Sequence, residues 1–252
     1  MMFLAIVSSS WQTHVNGNPM YQFTTKLRLI KSVLKQLHHQ HTSDIPSRVA
    51  QAREDWFAAQ RILDDNPTSL ATQNRIHRLT NEEGATITNP QEIRKTTISY
   101  YERLLTTTPN ALPKDITSIY PNTISDATKL TTSLPITNEE IKSALFSIPD
   151  NKSPGPDGYN AFFFKQSWNI IGTDFIVAVK YFFSHNLLPR CVNATRVALV
   201  PKIENPTSMN DFRPISCCNV LYKCISKLIV IRLKAALAEV IGPSQSTFLL
   251  GR

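Results

Sequence analysis

The chain has 252 residues, of which 42% are hydrophobic, and this suffices for a real core in one large domain or two small ones. Its net charge of +8 lies mainly in residues 152–252, which hold 12 basic and 5 acidic side chains, against 15 and 14 in residues 1–151. No apolar run approaches the ~20 residues of a membrane span. We therefore expect a globular intracellular protein of the nucleus or cytoplasm that has no membrane partner.

Two helices are predicted near the N-terminus. Apolar residues recur three or four positions apart from Met20 to Leu37 and again from Val49 to Leu63. The two stripes predict a helical hairpin that serves as scaffold. Three histidines of residues 38–41 have no acidic or cysteine co-ligands beside them, so they indicate a solvated patch rather than a metal site.

The middle of the chain is rich in Thr, Ser, Asn and Pro, and a helix with one apolar face is predicted from Pro90 to Leu105. A linker is predicted over 106–136. A capping box from Thr137 to Glu140 then opens a helix that ends at Pro149. A long apolar helix follows, and its aromatic residues from Phe162 to Phe183 are typical of a core rather than of base-stacking platforms.

A turn of restricted shape separates these two helices. Its prolines limit the backbone, while its glycines permit dihedrals closed to other residues. Alone, the pattern fits a tight structural connector at least as well as a binding site. The residues of this turn are Lys152, Pro154, Gly155, Pro156, Asp157 and Gly158.

Strands are predicted at Thr195–Lys202 and Phe212–Ile215, followed by a helix from Asn219 to Val240 that stops at Gly242 and Pro243. A hairpin of these strands would bring Lys202 and Arg213 to one side, where two cations suit a triphosphate. The alternative is that Lys202 is solvated and Arg213 pairs with Asp211 or Asp157.

The last predicted helix carries Lys223, Lys227 and Lys234 on one face. Such a basic edge fits a nucleic-acid backbone about as well as it fits a solvated helix face. The four cysteines show neither a C-x-x-C pair nor suitably spaced histidines, so we expect reduced, mostly buried thiols and no structural zinc. They are Cys191, Cys217, Cys218 and Cys224.

Blocks within residues 136–252 resemble the front part of the reverse transcriptase of LINE-type, non-LTR retrotransposons, a kind abundant in plant genomes. The blocks are Lys152–Gly158, Val200–Lys202, Asp211–Ser216, Asn219–Lys223 and Gln245–Arg252. A weaker match over Trp11–Leu70 resembles the connector between that family's endonuclease and polymerase.

The resemblance implies a mainly helical α+β chain with a small antiparallel β-hairpin. It divides the chain into a helical connector (1–105), a linker (106–136) and a partial reverse transcriptase domain with an incomplete fingers region (137–252). It also implies RNA-directed DNA polymerisation, a nucleotidyltransferase activity. The 152–158 turn would lie near the template, and Lys202 and Arg213 would contact nucleotide phosphates. The implied partner is RNA or DNA, bound weakly and with strong salt dependence.

Two-metal phosphoryl transfer needs carboxylates that hold divalent ions close together. The family's palm aspartates and aromatic-Ala-Asp-Asp hairpin are not among these residues, and Asp64-Asp65 is typical of a polar helix end. We therefore assign no catalytic residue, metal or cofactor to this chain and expect it to be inactive alone. Mg²⁺ and a deoxynucleoside triphosphate are expected only with a complete family member. The alternatives are a non-enzymatic nucleic-acid-binding module and a non-functional translated relic.

Overall fold

The computed structural model describes residues 2–41, 76–81, 84–106 and 124–240, and the side chains of Met2 and of residues 37–41 are not included. These residues fall into two compact units. Unit 1 contains residues 2–35, 124–196 and 217–240, and unit 2 contains residues 36–41, 76–81, 84–106 and 197–216. The two units interleave along the sequence. The predicted division of the chain at residues 105 and 136 stays a prediction.

The described chain is mostly helical with two small antiparallel strand pairs, which confirms the α+β prediction. Unit 1 is built from helices. They are α1 (Met2–Trp11), α2 (Pro19–His41, of which residues 19–35 belong to unit 1), α4 (Asp126–Ser133), α5 (Asn138–Phe146), α6 (Ala161–Gln166), α7 (Trp168–His185), α8 (Arg190–Asn193) and α9 (Val220–Val240). In unit 2, α3 (Pro90–Thr106) lies beside the strands.

An aromatic cluster forms the centre of unit 1. The ring centroid of Phe23 in α2 lies 6.4 Å from that of Phe164 and 5.5 Å from that of Phe175, and all three side chains are buried. Burial of each such side chain stabilises the fold by about 1.5–3 kcal/mol. The prediction that the 162–183 aromatics form a core is confirmed for Phe163 and Phe164, but Phe162 is 51% exposed.

The predicted capping box at the start of α5 is confirmed. Thr137 Oγ1 accepts a hydrogen bond from the Glu140 N–H at 3.1 Å, and the Glu140 carboxylate accepts one from the Thr137 N–H at 2.8 Å. Arg232 of α9 donates to the same carboxylate at 2.8 Å. Because of this ion pair, the cap also fastens α9 to the start of α5.

The long apolar helix predicted after the turn is observed as two helices, α6 and α7, separated at Ser167. The Ser167 N–H bonds to the Phe163 carbonyl at 3.0 Å, and the chain then restarts in α7. The apolar stripe continues through this break, so periodicity alone could not reveal it.

Unit 2 contains the short strands β1 (Leu79–Thr80) and β2 (Thr86–Ile87), with Leu79 opposite Ile87. Its second pair is β3 (Thr195–Pro201) and β4 (Phe212–Cys218), which extend into unit 1 at Thr195–Arg196 and Cys217–Cys218. A small core of unit 2 is formed by Leu79, Ile93, Met209 and Phe212. Strands of two residues are too short to give a sequence pattern, which explains why β1 and β2 were not predicted.

Several predictions fall outside the described residues, namely the helix from Val49 to Leu63, the Asp64-Asp65 pair and the stop at Gly242 and Pro243. Helix α4 lies within the predicted linker, and α1 and α8 were not predicted. No helix in the described ranges is long and apolar enough to cross a membrane.

No disulfide links the four cysteines. Cys224 alone among them is buried, and its pKa is raised by burial to about 12. Cys191 is exposed, so the expectation of mostly buried thiols was wrong. Its position on the short helix α8 places it at the surface, which a pattern of cysteine spacing does not indicate.

Candidate nucleic-acid interface

The predicted turn at residues 152–158 contains a hydrogen-bonded β-turn at residues 155–158. The Gly158 N–H donates to the Gly155 carbonyl at 3.0 Å, with Pro156 and Asp157 between them. Proline in the second position and glycine in the fourth suit such a turn, because proline fixes φ near its required value. Gly158 has a φ of +86°, a conformation that costs little only for glycine.

Asn219, at the start of α9, holds this turn against the rest of unit 1. Its Oδ1 accepts a hydrogen bond from the Asp157 N–H at 3.2 Å. Its Nδ2 donates to the carbonyls of Cys191 and Val192 at 2.8 and 3.2 Å. The side chain is only 3% exposed, and it therefore satisfies three backbone groups of two separate segments away from solvent.

Two lysines also bind the turn through backbone carbonyls. Lys31 of α2 donates to the Asp157 carbonyl at 2.6 Å, and Lys223 of α9 donates to the Ser153 carbonyl at 2.7 Å. Lys223 was predicted to contact a nucleic-acid backbone, and here its ammonium already has a structural partner. Lys152 extends into solvent, and its backbone N–H bonds to the Pro149 carbonyl.

Gly155 is the point of closest approach between the turn and the chain that leads into α9. A Cβ on this residue would overlap the Asn219 side-chain oxygen and backbone nitrogen, and would lie 2.6 Å from the Cys218 carbonyl carbon. Glycine is required at this position by space, since no positive φ is involved. The turn therefore has the packing of a structural connector, which was the alternative interpretation of its sequence.

The Asp157 carboxyl is half-buried in this arrangement. Burial raises its pKa above the ordinary value, although the hydrogen bond from the Tyr159 N–H at 3.1 Å and the nearby Lys31 favour the charged form. The loss of hydration therefore raises the pKa of Asp157 by more than these contacts lower it.

Replacement of Asp157 by asparagine is expected to remove a pH-dependent loss of stability. A carboxyl with a raised folded-state pKa contributes most to stability below its unfolded pKa, and that contribution is lost as pH rises through the folded pKa. Relative to Asp157→Asn, the wild type should therefore become less stable as pH increases from about 3.8 upward. Urea unfolding of both proteins at a series of pH values above about 3.8 measures the difference in their free energies of unfolding. Parallel pH profiles would contradict a raised pKa of Asp157.

The hairpin of β3 and β4 carries the other two predicted phosphate contacts, and both side chains are exposed. The Lys202 N–H donates to the Asp211 carbonyl at 2.7 Å, which sets a register with Val200 opposite Arg213. Lys202 directly follows the last residue of β3. Because side chains alternate along a strand, Lys202 is on the same face as Val200, and Arg213, which is opposite Val200, shares that face.

The predicted alternative pairing of Arg213 with Asp211 does not occur. The Asp211 carboxylate instead accepts hydrogen bonds from the N–H groups of Thr207 and Ser208, at 3.0 and 2.8 Å. Within the described residues, the Arg213 guanidinium has no hydrogen-bond or ion-pair partner. The Lys202 ammonium donates to the Asn210 carbonyl at 2.6 Å, which orders the loop between the strands.

Helix α9 presents the three lysines of the predicted basic edge at helical spacing. Lys227 is half-buried and Lys234 is exposed. Sequence reasoning missed Arg28 and Lys31, two basic residues of α2 that lie beside the turn. Their only sequence signal is their position between the apolar residues of an amphipathic helix, which is also where solvated residues occur.

Comparison with known proteins finds relatives among transposable elements, while no protein-family model matches the chain. The chain is 34% identical over 173 residues to the transposon TX1 uncharacterized 149 kDa protein of Xenopus laevis, a match that covers 68% of this chain. It is 30% identical over 99 residues, or 39% of this chain, to the retrovirus-related Pol polyprotein from type-1 retrotransposable element R2 of Bradysia coprophila. The matches span 13% and 11% of these proteins. The chain is thus similar to one region of retrotransposon proteins.

Proposed function

We propose that the chain is the fingers-containing region of a LINE-type reverse transcriptase and that it contacts RNA or DNA. The observation that carries this proposal is the ordered set of motifs from the 152–158 turn to Asn219, in a chain related to a Pol polyprotein. Plant origin is part of the proposal and rests on the sequence resemblance alone.

The hairpin cations are the proposed phosphate contacts. Arg213 offers a planar guanidinium that can bind two phosphate oxygens, and Lys202 supplies a point charge. Hydrogen bonding to the Asn210 carbonyl uses one of the three ammonium protons of Lys202, so two remain for a ligand. The excess positive charge of residues 152–252 would add a long-range attraction for a polyanion.

Polymerisation requires Mg²⁺, which binds oxygen ligands such as carboxylates. The candidate interface offers lysine and arginine instead, and the described residues hold no group of three His, Cys, Asp or Glu side chains able to bind a metal. The interface residues therefore do not fit the ion. We propose that these 252 residues bind nucleic acid and do not polymerise alone, and that the metal-binding carboxylates belong to other residues of a complete enzyme.

Binding to single-stranded RNA is expected to weaken steeply with salt. Each phosphate contact contributes about 0.7 to the slope of log K against log salt concentration for a single strand. The double substitution Lys202→Ala and Arg213→Ala should therefore lower this slope by about 1.4. Fluorescence anisotropy with a labelled oligonucleotide, measured over a series of salt concentrations, gives both slopes.

Lys129→Ala is the matched control, since Lys129 is an exposed lysine of α4 that pairs with Asp126. An unchanged slope in the double variant would refute the phosphate contacts. A sharp cooperative unfolding transition together with binding would support a maintained nucleic-acid-binding module. Broad unfolding, aggregation and absence of binding would favour the relic.

A further inference from the structure

A cavity of about 330 Å³ lies in unit 1, beside the 152–158 turn. Helix α2 forms one wall, and the turn, α8 and the start of α9 form the others. This volume is within the range of pockets that hold small ligands. Because α2 is far from the other segments in sequence, the cavity was not visible in any motif.

The inner wall of the cavity is apolar. Leu27, Tyr159, Val192 and Leu221 line it, and each is at most 7% exposed. The Tyr159 hydroxyl is directed to the Leu27 carbonyl, to which it donates at 2.9 Å, so its ring is fixed. A ligand must therefore present an apolar or aromatic body to this wall.

Two cations and the Asp157 carboxyl lie at the same cavity. Arg28 is exposed, and among the described residues its guanidinium has no hydrogen-bond or ion-pair partner. Lys31 donates to the Asp157 carbonyl and retains two further protons. An arginine beside a lysine is a suitable arrangement for a phosphate group.

We propose that this cavity binds one nucleotide unit, with the base against the apolar wall and the phosphate at Arg28 and Lys31. Inorganic phosphate would use only the cations, and an uncharged aromatic molecule only the wall, whereas a nucleotide uses both. The ligand class rests on the proposed function, while the position of the site is carried by the cavity itself. The nucleotide is either free or part of a strand.

Cys191 provides a direct reporter because it lines the cavity and is exposed. Its alkylation by iodoacetamide can be followed by peptide mass spectrometry with adenosine monophosphate, a short oligoadenylate or inorganic phosphate present. At a concentration about ten times Kd, a ligand that fills the cavity should slow alkylation about tenfold. Buried Cys224 serves as the internal reference for global unfolding.

Two substitutions at exposed positions test the site without disturbing the core. Ala194→Leu should fill part of the cavity, and Arg28→Gln removes the guanidinium; both should abolish protection by the nucleotide. Protection by the oligoadenylate alone would assign a strand unit, and protection by the monophosphate would assign a free nucleotide. Protection by inorganic phosphate alone, or by none of the three, would overturn the proposal.

The double variant Lys202→Ala and Arg213→Ala tests whether the cavity binds its ligand independently of the hairpin. Protection of Cys191 that persists in this variant, with its salt slope reduced, would support two distinct contacts. Loss of protection in this variant would overturn the cavity as an independent site. Lack of Cys191 protection in a wild-type chain that binds RNA with the expected slope would refute the cavity and retain the proposed function.

Discussion

Substitution of Gly155 by alanine is expected to lower the free energy of unfolding by about 3 kcal/mol, the upper part of the range for overpacked sites. The added Cβ would meet backbone atoms of Cys218 and Asn219, which cannot rotate away as a flexible side chain could. The chain entering α9 would have to move, and the turn's hydrogen bond to Asn219 would lengthen.

Urea unfolding at neutral pH measures this loss, with Gly84→Ala as the matched control. Gly84 has a φ of +81° but has nothing within 4 Å of an added Cβ. Its replacement should cost only about 1 kcal/mol of backbone strain. Equal losses at the two positions would show that Gly155 is not required by close packing.

Replacement of Asn219 by alanine is expected to cost about 3 kcal/mol or more, because an unsatisfied buried polar group costs about 1–3 kcal/mol. The Asp157 N–H and the carbonyls of Cys191 and Val192 would all lose their side-chain partner. A water molecule that entered the space would recover part of this loss.

The matched control is Asn160→Ala, which removes an asparagine that accepts a single hydrogen bond, from the Phe163 N–H at the start of α6. Loss of such a cap costs about 1 kcal/mol. The double variant Gly155→Ala and Asn219→Ala should lose less than the sum of its parts, since the overlapping Asn219 oxygen is gone. Strict additivity would mean that the two residues do not act on one contact.

Local sequence patterns predicted those elements that depend on residues close together in the sequence. The box at Thr137 and Glu140 is confirmed because both partners lie within one helical turn. The α2 stripe and the β3–β4 hairpin were predicted from period and strand composition. The break at Ser167 was missed, since a single residue outside the helix leaves the apolar stripe intact.

The candidate site was less predictable because its contacts join distant residues. Lys223 is at helical spacing with Lys227 and Lys234, yet it bonds to Ser153, 70 residues earlier. Asn219 looks like an ordinary cap in the sequence, and its three partners lie in two remote segments. The residue types show which groups can donate or accept hydrogen bonds. Only the folded structure shows which of these groups are bonded within the protein.

Because α2 packs on α6 and α7, it cannot complete its packing during synthesis until these later helices have been made. The Lys26–Asp174 ion pair joins residues 148 positions apart. At about 5–20 residues per second, roughly 7–30 s pass between synthesis of these two residues. During that interval the apolar face of α2, including Phe23, has no completed partner. The nascent chain would therefore expose apolar surface of the kind that leads to aggregation and that chaperones cover.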